Sequence, residues 1–404
     1  MKNKGKLLIT LVLTFLLNAG FSQNFLEKGL SPNKTYILLA HPTVNNIQTI
    51  NYLLTNHILE LRDVEFIGVY SSAETYDYNQ SITLISKPEM NKFHLQKVNE
   101  VMSSDQIYRQ NEWTPVFRKL FDRSVGIFFF GGPDIQPEVY KQENKYSVVT
   151  DPNRHLFELS FLFQLLGGYQ NDQFTPFLKE KPTYFVTGFC LGLQTMNVAT
   201  GGTLTQDIPA QTYNKKNAEE TLKLKKDQLH RNYWTEITKD TLLMSNSFHQ
   251  IQYTAHPFFP EKVKADSKIR PLVLSSHHQT IDELGKNLIV TATSMDGQVI
   301  EGIQHRLYEN VFAVQFHPEV PDLYRDGKKM KFAPTDTPKS FFEILSPEDH
   351  EFHRKYWEMI TRSIKAAIKA QKEKTFENSG VKKGSANSSS AKQTSVGNAS
   401  IAFF

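Results

Sequence analysis

Thr187-Gly188-Phe189-Cys190-Leu191-Gly192-Leu193-Gln194 is the stretch that decides how this chain is read. The run Tyr184-Phe185-Val186-Thr187 leads into it as a buried strand, and Leu191 to Ala199 leaves it as a helix. A cysteine between two glycines at a strand-to-helix turn has the form of a nucleophile elbow. Gly188 and Gly192 leave room for a tight backbone and close packing. The positive end of the helix favours thiolate at Cys190. For a cysteine met alone, a buried structural role is the better reading. The glycine frame and a second motif reverse it.

That second motif is Phe316-His317-Pro318-Glu319, at the end of the strand-like run Val311 to Phe316 and 127 residues beyond the cysteine. His317 and Glu319 stand two apart, which puts both side chains on one side of an extended segment. A base beside a thiol, with a carboxylate orienting the base, is the generalised triad. Only a fold can bring the cysteine and the histidine together.

Further apolar runs at Tyr36–Ala40, Val64–Tyr70 and Val125–Phe130 alternate with helix-length segments, the pattern of a parallel sheet covered on both faces. Leu288 to His305 holds two strand-like runs around Met295-Asp296-Gly297-Gln298, and Asp-Gly marks a hairpin. Ser346-Pro347-Glu348-Asp349 starts a helix, and Phe352, Tyr356, Ile360, Ile364 and Ile368 give it one apolar face. Residues 73–115 and 320–345 are polar and carry no clear element. No internal repeat is present.

The chain has 404 residues, 39% hydrophobic and 22% charged, a globular balance. One cysteine excludes an intramolecular disulfide framework and a thiolate-rich zinc site. Of the formal net charge of +4, the first six residues carry +3 and residues 371–404 another +3, so the remainder is −2 and offers no nucleic-acid footprint. Lys2, Lys4 and Lys6, the apolar run Leu7 to Leu17 and Gly20-Phe21-Ser22-Gln23 have the form of a cleaved secretory signal over 1–22. No cysteine near the cleavage point supports a lipid anchor, and no later stretch is long enough to span a bilayer. The expectation is export to the periplasm or medium without a stable membrane anchor. One catalytic domain is expected over 23–374, followed by a disordered tail over 375–404, where little is available to bury.

Four segments in order resemble class I glutamine amidotransferase-like proteins, most closely the γ-glutamyl hydrolase branch with its bacterial γ-glutamyl-γ-aminobutyrate hydrolases. They are Gly131-Gly132-Pro133-Asp134-Ile135-Gln136-Pro137-Glu138-Val139-Tyr140, the Cys190 segment continuing through Asn197-Val198-Ala199-Thr200-Gly201-Gly202-Thr203-Leu204, Ser275-Ser276-His277-His278-Gln279, and Val314-Gln315-Phe316-His317-Pro318-Glu319. The resemblance covers roughly residues 125–320. It implies an α/β, flavodoxin-like three-layer sandwich with a mostly parallel central sheet. It also implies hydrolysis of a γ-glutamyl amide in a small compound or peptide. Cys190 would be the nucleophile, His317 the base and Glu319 its orienting acid. The backbone N–H groups of Gly132 and Leu191 would form the oxyanion hole, with Gln194, Arg154, His277 and His278 as candidate substrate contacts.

No metal or cofactor is expected, because the histidine spacing forms no recognisable ligand set. Two positions depart from the family pattern: Asp151-Pro152-Asn153-Arg154-His155 ends in histidine where an acid is usual, and Leu274 stands where asparagine is usual. Asn246-Ser247-Phe248-His249-Gln250 also resembles the Ser275 segment, so two alignments compete. The alternatives are a glutaminase supplying ammonia to a partner, and a catalytically weak or inactive binding protein of the same fold.

Overall fold

Strand β1 (Thr35–Ala40) lies at the heart of a parallel half-sheet, with β2 (Val64–Ser71) on one side and β4 (Ser124–Phe129) on the other. Its five buried residues alternate between two cores: Leu38 and Ala40 face one layer of helices, Ile37 and Leu39 the other. This explains the unbroken apolar run, since a strand covered on both faces has no polar side. The computed structural model describes residues 24–28, 31 and 33–378, with backbone alone for 375–378. The expected signal over 1–22 lies outside the described residues, as does the tail beyond 378.

The sheet order is β3-β2-β1-β4-β5-β12-β11-β10-β7-β8, where β3 is Phe93–Val98, β5 Phe185–Phe189, β7 Ser247–Tyr253, β8 Leu272–Ser275, β10 Leu288–Ser294, β11 Ile300–His305 and β12 Val311–Val314. The neighbours from β3 through β12 run parallel; those from β12 through β8 run antiparallel. A two-stranded ribbon pairs β6 (Leu204–Thr205) with β9 (Thr280–Ile281). Helices Thr114–Arg123, Pro152–Leu166 and Leu191–Ala199 pack on one face; Val44–Thr55 and Pro347–Asn378 pack on the other. The architecture is a three-layer α/β sandwich with a mostly parallel central sheet.

The hairpin forms where Asp296-Gly297 predicts it, with Gly297 at φ 75°. The last helix buries Phe352, Tyr356, Ile360 and Ile364 as its four-residue spacing predicts, and it runs through Asn378, four residues into the segment expected to be tail. Three strands of the central sheet escape the pattern reading, as does the short ribbon of β6 and β9. β3 lies within the unassigned 73–115; it forms the sheet edge, and half-buried His94 and Lys97 break its apolar run. The other two are β7 and β8, which carry the two look-alike segments. The look-alike segments are antiparallel neighbours, with Ser247 opposite Ser275 and Phe248 opposite Leu274. Leu274, at the position where the resemblance implies asparagine, is fully buried in a small cluster with Phe248, Leu323 and Phe341.

Candidate active site

The turn after β5 is closed by close packing. A Cβ on Gly188 would stand 2.4 Å from the carbonyl carbon of Gly192, and one on Gly192 would stand 2.6 Å from the carbonyl oxygen of Phe129. Only glycines let strand and helix approach this closely. Cys190 between them adopts φ 52°, ψ −106°, a strained backbone for a residue with a Cβ, held by its N–H to the Val314 carbonyl at 2.9 Å. It caps the helix Leu191–Ala199, so the Leu191 N–H has no acceptor within the helix by geometry.

His317 follows β12, the parallel neighbour of β5, so both residues emerge at the same end of adjacent strands. The Cys190 side chain hydrogen-bonds the His317 ring. The opposite ring nitrogen, Nδ1, is 2.8 Å from Glu319 Oε1. Burial is the largest influence on His317 and disfavours its charge; Glu319 and then Cys190 outweigh it, raising its pKa well above 6.5. The arrangement is a thiol, a charged imidazole and a carboxylate in line, buried apart from small openings.

The loop after β4 completes the enclosure. A Cβ on Gly131 would stand 2.8 Å from His317 Cε1 and 3.6 Å from Cys190 Cβ, so glycine is required there. Gly132 lies against Leu191 and Arg154. Arg154 Nε donates to Glu158 at 2.9 Å, Nη2 donates to the carbonyls of Phe130 and Gly131 at 3.0 and 3.1 Å, and Nη1 lies beside Gly132. It therefore holds the glycine loop. Gln194 is likewise buried, its amide directed to Gln279 and Gln315.

His278 sits between Asp134, on the glycine loop's continuation, and Asp207, at 2.9 and 3.1 Å. Burial opposes its charge, but the two carboxylates prevail and push its pKa up to about 9. His277 points elsewhere, into a buried group with His230, His249 and Glu301. His155 is buried and held neutral, its pKa lowered to about 3 by burial and then by Arg154. It therefore supplies no negative charge in place of the usual acid.

Three contributors were not read from the sequence. Trp357 donates its indole N–H to the Pro318 carbonyl at 2.9 Å, and the Tyr324 hydroxyl donates to the same oxygen. Glu158, one helical turn from Arg154, could have been found from its i, i+4 spacing. Trp357 had no such signal beyond its place on an apolar helix.

The chain belongs to the Peptidase C26 family, whose profile matches residues 66–319. It is 30% identical over 223 residues to a glutamine amidotransferase-like protein of Rickettsia prowazekii, covering 50% of this chain and 72% of that one. It is 31% identical over 201 residues to protein NtpR of Enterococcus hirae, covering 49% and 68%. A crystal structure of a GMP synthase-type protein from Thermoplasma acidophilum overlays at TM-score 0.39 with 11% identity, covering 85% of this chain and 100% of that one. Family and relatives put the chain among hydrolase- and amidotransferase-type enzymes of the class I glutamine amidotransferase-like superfamily.

Proposed function

We propose that this protein is an exported cysteine hydrolase that cleaves γ-glutamyl amide bonds. The observation that carries the reading is the convergence of Cys190, His317 and Gly131, with Glu319 on the far nitrogen of the imidazole. In this mechanism Cys190 Sγ attacks the γ-carbonyl carbon, and the oxyanion forms against the N–H groups of Gly132 and Leu191. His317 protonates the departing amine, leaving a γ-glutamyl thioester on Cys190. It then takes a proton from water as the water's oxygen attacks the thioester; glutamate leaves and the thiolate returns. Glu319 keeps the imidazole oriented and stabilises its charged form. His278 bonds Asp207 and Asp134 through its two ring nitrogens and so anchors the continuation of the glycine loop; Arg154 and Gln194 act by holding loop and pocket wall.

Hydrolysis of γ-glutamyl-p-nitroanilide by wild type and its loss in Cys190→Ala test the reading. Turnover of free glutamine alone would instead favour the glutaminase alternative suggested by the relatives' names. Export is part of the proposal and rests on the basic, apolar and small-residue pattern of residues 1–22. Mass spectrometry of protein from the native host is expected to find an N-terminus near Gln23; an intact Met1 on cytosolic protein would overturn it.

A further inference from the structure

Behind the strand that carries His317 lies a second chemical cluster, and the proposed hydrolysis does not use it. His230, His249, His277 and Glu301 come from three strands or their flanking loops and a separate loop, and all four are buried to within a few per cent of complete exclusion. Glu301 Oε1 lies 3.2 Å from His230 Nδ1, 2.9 Å from His249 Nε2 and 3.9 Å from His277 Nε2.

The hydrogen bonds around this group settle several protons and leave others without a role. His277 Nδ1 is 2.8 Å from the carbonyl of Gln279, which can only accept, so Nδ1 carries the proton. A neutral His277 then turns the lone pair of Nε2 toward Glu301, where lone pair meets carboxylate. His230 Nδ1 lies 3.2 Å from Glu301 Oε1, and its Nε2 has no hydrogen-bond partner. His277 Nε2 and Glu301 Oε2 also have none. Buried, unpartnered polar atoms gathered around a carboxylate leave a place that a cation would fill.

We propose that His230, His277 and Glu301 form a zinc site. Their donor atoms all lie within 4.8 Å of one another. Tetrahedral zinc with nitrogen and oxygen ligands at about 2.0–2.2 Å spaces its donors roughly 3.3–3.6 Å apart; the two separations to Glu301, 3.2 and 3.9 Å, lie near this, the one between the histidines, within 4.8 Å, would close on binding, and a water would complete the four ligands. The surrounding contacts are those of an outer shell. The Gln279 carbonyl fixes the tautomer of His277, and His249 Nε2 donates to Glu301, orienting it. Two imidazoles and one carboxylate suit zinc better than calcium or magnesium, which prefer oxygen alone.

The role follows from position. The His230 carbonyl accepts from Ser275 Oγ at 2.6 Å and from the His277 N–H at 3.0 Å, while the adjacent Leu274 carbonyl accepts from the His317 N–H at 2.9 Å. A metal here ties the loop at 230 to β8 and β11 behind the His317 segment. It is a structural ion, with no part in bond breaking.

The test is metal content, which does not depend on whether the hydrolase reading holds. Full-length protein is produced in zinc-supplemented medium, passed over a metal-scavenging resin and measured by elemental analysis. One zinc per chain is expected, with loss to background in His230→Gln/His277→Gln. His249→Gln should retain zinc but release it to a chelator 10–100-fold more readily. Wild type refolded from denaturant with cobalt should show the visible absorption of a tetrahedral ion, and refolding with zinc should raise its Tm above that of protein refolded with chelator. Substoichiometric zinc in wild type, together with no cobalt spectrum and no Tm difference, would overturn the proposal and leave a hydrogen-bonded histidine–glutamate network. Stoichiometric copper or nickel in place of zinc would overturn the choice of ion. If the double variant does not fold, the wild-type measurements decide alone.

Discussion

The indole Nε1 of Trp357 lies 2.9 Å from the carbonyl oxygen of Pro318 and donates a hydrogen bond to it. Trp357 belongs to the last helix, beyond the residues matched by the family profile, and Pro318 is the link between His317 and Glu319. A fully buried side chain from the end of the fold therefore holds the backbone that aims the imidazole. Trp357→Phe keeps much of the apolar volume and removes the donor. It is expected to lower kcat about 10–100-fold with little change in KM, because small misplacements of reacting groups carry such penalties. A change in KM alone would show that Trp357 serves substrate binding instead.

Cys190 is the chain's single cysteine, so one alkylation event should abolish hydrolysis. Residues acting as a unit lose activity non-additively. Cys190→Ala/His317→Ala is therefore expected to be little worse than Cys190→Ala, with Glu319→Gln the mildest of the single changes. Steady-state rates on γ-glutamyl-p-nitroanilide check the order. Retained turnover by Cys190→Ala would remove the nucleophile assignment.

His317 holds its proton more tightly when folded than unfolded, because Glu319 and Cys190 outweigh burial. Its contribution to stability is then complete below about pH 6.5 and is lost as pH rises through the folded value. Glu319→Gln removes the first of the two stabilising partners, so the alkaline limb of the rate of thiol alkylation should move to lower pH. An unmoved or higher limb would contradict the assigned ion pair.

His305 works in the opposite direction. Burial lowers its pKa to about 4, and its Nδ1 accepts from the Leu307 N–H at 3.1 Å. The unfolded chain takes up this proton near pH 6.5, the folded one only near 4, so stability falls as pH drops through that window. At pH 4 the cost is roughly 2–4 kcal/mol. His305→Asn keeps a side-chain acceptor for Leu307 and cannot be charged. Its Tm should decline less than wild type between neutral pH and pH 4.5; an identical decline would exclude His305 as a source of acid sensitivity.

Arg154 and Glu158 form a buried pair at 2.9 Å. Arg154→Met leaves Glu158 without its partner and releases the carbonyls of Phe130 and Gly131. A loss of roughly 3–5 kcal/mol is expected. Arg154→Met/Glu158→Met should recover much of the stability while activity stays low, since the glycine loop remains unheld. Denaturant unfolding and rates on the two variants separate these effects.

Much of this protein is decided locally along its chain. The Cys190 elbow needs only a strand, two glycines and a helix start in succession. Glu319 stands close enough in sequence to meet His317, although the strand ends at Val314 and a turn at Pro318 and Glu319, not extended backbone, brings the carboxylate to the ring. The buried parallel strands, the Asp296-Gly297 hairpin and the apolar face of the last helix likewise follow from periods of a few residues. The tertiary structure decided the rest. The pairing of Phe248 with Leu274, the commitment of Arg154 to Phe130 and Gly131, the grip of Trp357 on Pro318, and the meeting of His230 and His277 with Glu301 join residues 23 to 71 positions apart. Such contacts leave no periodic trace, because their partners are chosen by which strand ends and loops the folded sheet brings side by side.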